Sequence, residues 1–546
     1  MNRSFLLTIV SILLFSPGFL KSQTFPEQPV MPYHTNASPI FGKDIVIQAK
    51  PEQNQRNIAV CSAFNGWLYA IYTYNNGPQP YCTTLRSIDG GITWNVLLDA
   101  TIFSPRQIIT RANIMACGNN LADLKVFIGF AYMDTVDYLQ RIGAIWVARY
   151  KGEPFAGEAV ILEDNTGWYK DLAFASDCNY PSASSNPFNI AFLYSKASIK
   201  DSLIFCSSGN GGISIDNRKV LTYSNQKFGK VSLSYGKSAS QSSGRYFAAW
   251  ENKAVANAAT GHIYTAHSEP DLNGPFTMPF CIDSLDPGLF NKSRNPVLVC
   301  QASDYDNDSS NLTELLLFEK YIQETNSYDI RGFYNLQATA MNHFRDLSLS
   351  VSTNIKSSPD VVFNPFDSSF MVTYFDSTEK KLPFIVNNFN LKNPNQWTVV
   401  SSSYNDSTNL RSPFPKVIYN QDQHNGADVW VGERTGGNGI AMFDAPYSIW
   451  TNVPGNNKPE RFSSFGAFPN PCSNEFTLWF ILHIPGKVNI ALYDISGNRL
   501  LNKTNQYSPA GKQYVKVDIS SFPSGLYYYS FTSESASGSG KILVIK

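Results

Sequence analysis

An all-β fold, a ring of like units followed by a small sandwich, is what this sequence predicts, and three observations carry the prediction. Charged residues make up only 16% of the chain while aromatic residues reach 14%, a balance that favours short strands and turns over helices. One strand-like segment recurs at a nearly constant interval. Near the C-terminus both composition and rhythm change. Length agrees, since 546 residues exceed what one core fills and call for several domains or a large repeat.

The first element is a leader. Arg3 gives a positive start, Phe5 to Phe15 (FLLTIVSILLF) an apolar core, and the small Ser22 precedes Gln23. This pattern reads as a secretory signal over residues 1–22. The apolar run is too short to span a bilayer and no later run is long enough, so the mature chain is expected to be soluble after export. Eight cysteines (Cys61, Cys82, Cys117, Cys178, Cys206, Cys281, Cys300 and Cys472) fit an oxidising compartment. They show neither CxxC nor CxH spacing, so no zinc site is expected, and their pairing cannot be deduced.

The repeat comes next. LYAIYTYN from Leu68, LKVFIGFA from Leu124, FNIAFLYS from Phe188, RYFAAWEN from Arg245, TELLLFEK from Thr313, FMVTYFDS from Phe370 and ADVWVGER from Ala427 are variants of one strand. Each is preceded by a second strand-like run (NIAVCSA, NIMACGN, KVSLSYG, NPVLVCQ, PDVVFNP or PKVIYNQ in six of them) and followed by a third, such as TTLRSI or GHIYTAHS. Three strands plus a variable outer one make a propeller blade, and a blade buries both faces only between two neighbours. The reading is therefore a seven-bladed β-propeller, with blades over about 40–450 in a domain of 23–455. Residues around DIVIQAK could supply a strand of the last blade.

Between the third and fourth strands of the first unit lies RSIDGGITW. Its Ser87, Asp89, Gly91, Thr93 and Trp94 match the Ser-x-Asp-x-Gly-x-Thr-Trp pattern of the Asp-box. At this point the sequence resembles the sialidase-like Asp-box β-propellers. The resemblance implies a structural turn in which Asp89 bonds backbone amides, Gly91 takes positive φ and Trp94 packs between sheets. Only one intact box is present. The family's Phe/Tyr-Arg-Ile-Pro motif is absent, and the nearest region, MPYHTNASPIFG, has no Arg, which argues against sialidase activity.

After a linker at 456–467 the last unit, 468–546, runs from Phe468-Pro-Asn-Pro471 through VNIALYDISGNRL and VDISSFPSGLYYYSF to KILVIK. Alternating apolar residues between Ser-Gly-Asn and Pro-Ser-Gly turns describe a small Ig-like β-sandwich, with Gly497 and Gly525 in left-handed turn positions. These ordered motifs resemble the type A sorting domain of the type IX secretion system of Bacteroidetes. That implies delivery across the outer membrane, with release or attachment at the cell surface, and makes the secretion machinery a partner.

Candidate site residues follow from the repeat. In a propeller the residues just before the first strand and at the end of the second converge on one rim. The former include Arg56, Arg111, Arg294 and Arg411; the latter include Tyr74, Tyr194, Glu251, Glu319, Asp376 and Glu433. Guanidinium groups suit a carboxylate or sulfate, rings stack on sugars and acids bind hydroxyls; the same charges could instead pair with one another as structural ion pairs. The expected function is a binding module for a glycan or protein, with an exo-acting glycoside hydrolase or lyase as the alternative and an enzyme the less favoured reading. Asp304, Asp306 and Asp308 resemble the start of a calcium loop, but Ser309 and Leu315 stand where Gly and Glu belong, so no cofactor beyond that weak calcium candidate is expected. Lys+Arg equals Asp+Glu at 43 each, which excludes the basic excess that nucleic acid requires. No GxSxG, P-loop or dinucleotide fingerprint occurs.

Overall fold

The structure is a computed structural model of the whole chain. It describes residues 44–546 except 51, 102–104, 106, 135–142, 165–170, 178–187, 197–199, 239–243, 256–257, 270–274, 304–311, 336–343, 348, 350–353, 365–368, 389–396, 406–409, 411–412, 421–424, 434–436, 446–464, 469–471, 483–485, 495–498, 509–510 and 533–536. The expected leader, Arg411, residues Asp304, Asp306 and Asp308, Cys178 and Gly497 lie outside the described residues. The chain divides into two compact units, 1–451 and 452–546. Both are built from strands; the only helical pieces among the described residues are two 3-10 turns, Ile282–Ser284 and Pro287–Leu289.

The first unit holds seven sheets among the described residues, and in each the neighbouring strands follow chain order apart from one added strand in sheet 4 and one in sheet 7. Sheet 1 contains Arg56–Ser62, Leu68–Asn76, Gln79–Ser87 and Asn95–Ala100. Sheet 2 contains Gln107–Cys117, Lys125–Asp134, Gly143–Gly152 and Phe155–Asp164. Sheet 3 contains Leu172–Ser176, Ile190–Lys196, Asp201–Ser208 and Asn217–Ser224. Sheet 4 has Lys227–Ser238, Arg245–Lys253, His262–His267 and Phe280–Cys281, with Ala302–Ser303 added beside its first strand. Sheet 5 has Ser293–Cys300, Glu314–Ile322, Ser327–Asn335 and Arg345–Leu347. Sheet 6 has Lys356–Asn364, Ser369–Asp376, Phe384–Asn388 and Thr398–Ser401. Sheet 7 has Lys416–Asn420, Asn425–Glu433 and Gly439–Asp444; its outer strand is Ile45–Val46, from the other end of the unit, paired as Ile45↔Phe443 and Val46↔Met442. The seven repeated segments of the sequence are the second strands.

Those second strands are buried almost throughout, as expected where both faces are covered. Their side chains feed seven apolar clusters, each shared by two consecutive sheets. Tyr69 and Ile71 of sheet 1 meet Val126 and Ile128 of sheet 2, and the series continues through sheets 2 and 3, 3 and 4, 4 and 5, 5 and 6, and 6 and 7. Val429 and Phe443 of sheet 7 then meet Val60, Leu68 and Trp94 of sheet 1. The core thus lies between sheets, and each fully buried Leu, Val or Phe contributes about 1.5–3 kcal/mol.

The RSIDGGITW turn leaves the third strand of sheet 1. Asp89 Oδ1 accepts hydrogen bonds from Ser87 Oγ at 2.7 Å and Thr93 N at 2.9 Å, and Oδ2 accepts from Thr93 Oγ1 at 2.6 Å. Gly91 has φ +99°, and a Cβ there would run into the Phe443 ring. Trp94 is buried edge-on against that ring, with centroids 5.5 Å apart. A second turn of the same build follows the third strand of sheet 3. There Ser208 Oγ donates to Asn210 Oδ1 at 2.7 Å and accepts from Gly212 N at 3.0 Å, and Ser214 N donates to Asn210 Oδ1 at 3.1 Å. Gly212 has φ +73°. Asn replaces Asp and Ile215 stands where Trp94 stands, which is why the sequence pattern alone finds one copy.

The second unit has two sheets among the described residues, one of Phe465–Phe468, Glu475–Leu482 and Gly511–Asp518, the other ordered Arg499–Ser508, Gly486–Tyr493, Gly525–Thr532, Ser537–Val544. Phe476, Leu478 and Phe480 of one sheet pack with Ile490, Tyr529, Phe531 and Ile542 of the other. Gly525 is not in a left-handed turn, contrary to the expectation. It pairs with Val544 as the first residue of its strand and is absent from the positive-φ glycines. Cys82, Cys206, Cys281, Cys300 and Cys472 are not joined in disulfides.

Candidate functional site

The first strands of all seven sheets line one cavity of about 470 Å³. Their entry is irregular in a repeated way. Pairing with the second strand skips between Arg56 and Ala59, Ile109 and Arg111, Phe228 and Val231, Arg294 and Val297, and Ser357 and Asp360. Asn57, Asn295 and Ser358, inside these bulges, have φ of 49°, 52° and 53°, and Phe414 just before the sheet 7 strand has 41°. A bulge takes a backbone N–H out of the ladder, and a buried N–H needs another acceptor. At the entries of sheets 4, 6 and 7 a carboxylate of the preceding sheet accepts from a backbone amide. Asp171 Oδ2 accepts from Val231 N at 3.0 Å, Glu319 Oε1 from Ser358 N at 2.8 Å and Asp360 Oδ2 from Val417 N at 2.9 Å.

The charged residues lining the cavity are Arg111, Lys230 and Lys416 with Asp171 and Asp360. Lys416 Nζ donates to Asp360 Oδ1 at 2.8 Å. Asp171 Oδ1 has looser partners, Lys230 Nζ at 3.7 Å and Arg111 Nε at 3.8 Å. Arg111 Nε is buried without a hydrogen-bond acceptor. Burial alone would raise the Asp171 carboxyl, but Lys230, Arg111 and the amides of Val231 and Leu172 outweigh it and hold it below the usual range. Burial lowers the Lys416 ammonium; Asp360 opposes this, while the Arg111 and Lys230 charges add to it. Three cations against two anions give a positive cavity that can take an anionic group.

Of the arginines expected at the rim, only Arg111 among the described residues lines the cavity. Arg56 is exposed at the start of its strand. Arg294 turns to Glu319, with Nε 2.7 Å from Oε2, and lies 3.4 Å over the Tyr328 ring. The positive-φ Asn that follows Arg56 and Arg294 lines the cavity in their place.

The second-strand residues sit at the expected end of their strands but are mostly enclosed. Tyr74 is buried, stacks on Tyr81 and donates to Asp99 Oδ1 at 3.0 Å. Tyr194 is fully buried and donates to Asp164 Oδ2 at 3.0 Å, an acid also held by Arg218. Neither ring is a stacking platform, because at this position of the pleat the side chain faces the gap between sheets. Glu319 is held by Arg294, Asn295 and Ser358. Glu251 is fully buried near Lys253 Nζ at 3.3 Å, and burial raises its carboxyl. Asp376 accepts from Asn354 Nδ2 at 2.7 Å and from the amides of Thr378 and Glu379. Glu433 is half-buried at its strand end.

Sequence reasoning did not single out Asp171, Lys230, Asp360 or Lys416. The signal was present: Lys230, Asp360 and Lys416 each stand directly before a Val in the first strands of sheets 4, 6 and 7.

Residues 466–546 match the family model of the secretion system C-terminal sorting domain. The C-terminal unit is a type IX sorting domain, and it marks the protein for export to the cell surface or beyond. No helix among the described residues is long and apolar enough to cross a membrane. No curated protein sequence matches the chain. Among solved structures, a protein of unknown function from Dyadobacter fermentans is similar at 11% identity, covering 74% of this chain and 99% of that one, with a TM-score of 0.39. An alpha-L-arabinanase of Penicillium chrysogenum in complex with arabinobiose is similar at 12% identity over 75% and 99% of the chains, with a TM-score of 0.42. The NanB sialidase of Streptococcus pneumoniae shares 10% identity over 77% and 71%, with a TM-score of 0.40. These likenesses are too remote to carry chemistry across.

Proposed function

We propose that residues 45–444 form a seven-bladed β-propeller of the Asp-box kind, displayed or secreted through its sorting domain. Its central cavity binds a ligand with an anionic group, on a glycan or a protein, and does no chemistry on it. The circuit of seven inter-sheet cores and the pairing of Ile45–Val46 into the last sheet support the ring. The two turns at Asp89 and Asn210 support the Asp-box reading.

The observation that carries the binding reading is Arg111, a guanidinium lining the cavity whose Nε makes no hydrogen bond and whose nearest carboxylate is 3.8 Å away. A carboxylate or sulfate entering beside it would gain charge-assisted hydrogen bonds. The acids nearby already serve the fold. Asp171 is held ionised and bonded to a backbone amide, and Asp360 bonds Lys416 and Val417, so neither suits the general acid that glycoside hydrolysis needs. The test is a screen of the full-length chain against acidic and neutral glycans, with sugar release followed in parallel. Binding of acidic glycans without release is expected; turnover of any of them would replace this reading with that of a hydrolase or lyase.

A further inference from the structure

Away from the cavity, at the outer edge of sheet 4, three side chains of different ligand chemistry meet. His262 opens the third strand, Cys281 ends the fourth, and Asp283 sits in the 3-10 turn that follows at once. One ligand atom from each lies within 4.8 Å of the others. Tetrahedral zinc, with bonds of about 2.0–2.3 Å, places its ligands roughly 3.5 Å apart, so small side-chain rotations would bring these three into range.

The surrounding chain fixes the trio. Tyr264↔Cys281 pairing joins the two strands, and the Gly261↔Ser293 bridge ties the start of the third strand to sheet 5. His262 Nδ1 lies 2.9 Å from Asp283 Oδ2, and Phe290 packs edge-on to the imidazole at 4.8 Å. Asp283 is buried, and His262 is the one basic side chain paired with it among the described residues. His262 and Cys281 are only partly buried, so an ion has a route in. Cys-x-Asp with a distant His has no familiar spacing, and strand pairing alone assembles it.

We propose that His262, Cys281 and Asp283 form a binding site for a zinc-class divalent transition metal, with imidazole, thiolate and carboxylate as ligands and the fourth position left to solvent. Mixed nitrogen and sulfur ligation selects such metals over calcium or magnesium. Binding releases the thiol proton to solvent and requires the imidazole nitrogen that ligates to be unprotonated. A bound ion would tie the edge strand to the strand beside it.

The experiment uses the untagged full-length chain, reduced, stripped with chelator and titrated with Co²⁺. The proposal predicts one equivalent bound with a near-ultraviolet thiolate-to-cobalt charge-transfer band, displaced by Zn²⁺. Cys281→Ser should abolish the band, His262→Ala should weaken affinity more than about tenfold, and Cys61→Ser, on another sheet, should leave both unchanged. Zn²⁺ should raise the thermal unfolding midpoint of the parent chain but not of Cys281→Ser. Absence of a band, or a band that persists in Cys281→Ser, overturns the site; circular dichroism of each variant confirms that its fold is intact.

Discussion

Glu314 shows how far one side chain can depart from its ordinary chemistry. It opens the second strand of sheet 5 opposite Cys300, fully enclosed, with Oε2 unpartnered, and burial pushes its carboxyl up to about 8. The folded state therefore holds a proton that the unfolded chain gives up near 4.5. Its stability is full below about pH 4.5 and falls as pH rises toward 8, by about 1.4 kcal/mol for each unit of the interval. Glu314→Gln should match the parent near pH 4 and be the more stable at pH 8, as measured by denaturant unfolding at both values; equal stability at pH 8 would mean the carboxyl is not buried as described. Glycine makes a second case. Gly91→Ala meets both a φ of +99° and the Phe443 ring, whereas Gly77, at φ +59°, has open space. Gly91→Ala should cost about 2–4 kcal/mol, strain and overpacking together, and Gly77→Ala about 1–2 kcal/mol from strain alone, a difference readable in urea midpoints.

At the scale of strands and sheets, the recurrent bulge in the first strand links local irregularity to assembly. At the entries of sheets 4, 6 and 7 an amide is met by an acid from the sheet before (Asp171, Glu319 and Asp360), so Glu319, first suspected as a ligand group, serves as a joint. Glu319→Gln would weaken the Arg294 pair and the bond to Ser358 N together. The expected loss is about 1–3 kcal/mol, seen in thermal unfolding, with no change in ligand binding; a variant that unfolds like the parent would remove the joint from the account. Strand order was legible in the sequence because the second strands, such as LYAIYTYN, are covered on both faces and stay apolar at every copy. The bulges were not legible, since Asn57, Asn295 and Ser358 share only tolerance or strain at positive φ, not a residue type. That is why Arg56 and Arg294 were expected at a rim they do not line, and why Lys230 and Lys416 were overlooked.

For the molecule as a whole, two signals of different strength divide the chain. The sorting domain was readable because Phe468-Pro-Asn-Pro471, the Gly-centred turns and KILVIK keep their order at the chain end, and residues 466–546 match that family. Removing 466–546 should leave the first unit folded yet stop its appearance at the cell surface or in the medium, as followed by cell fractionation; surface delivery of the shortened chain would contradict the export role. The candidate ligand site was readable only in sign, because a cavity lined by seven strands draws its residues from positions far apart in sequence. The most direct test of a cationic central cavity that captures an anion is to repeat the acidic-glycan screen with an Arg111→Ala/Lys230→Ala double variant shown to be folded. At least tenfold weaker binding, with the parent's affinity falling as salt rises, is the predicted result; undiminished binding by the double variant would contradict it.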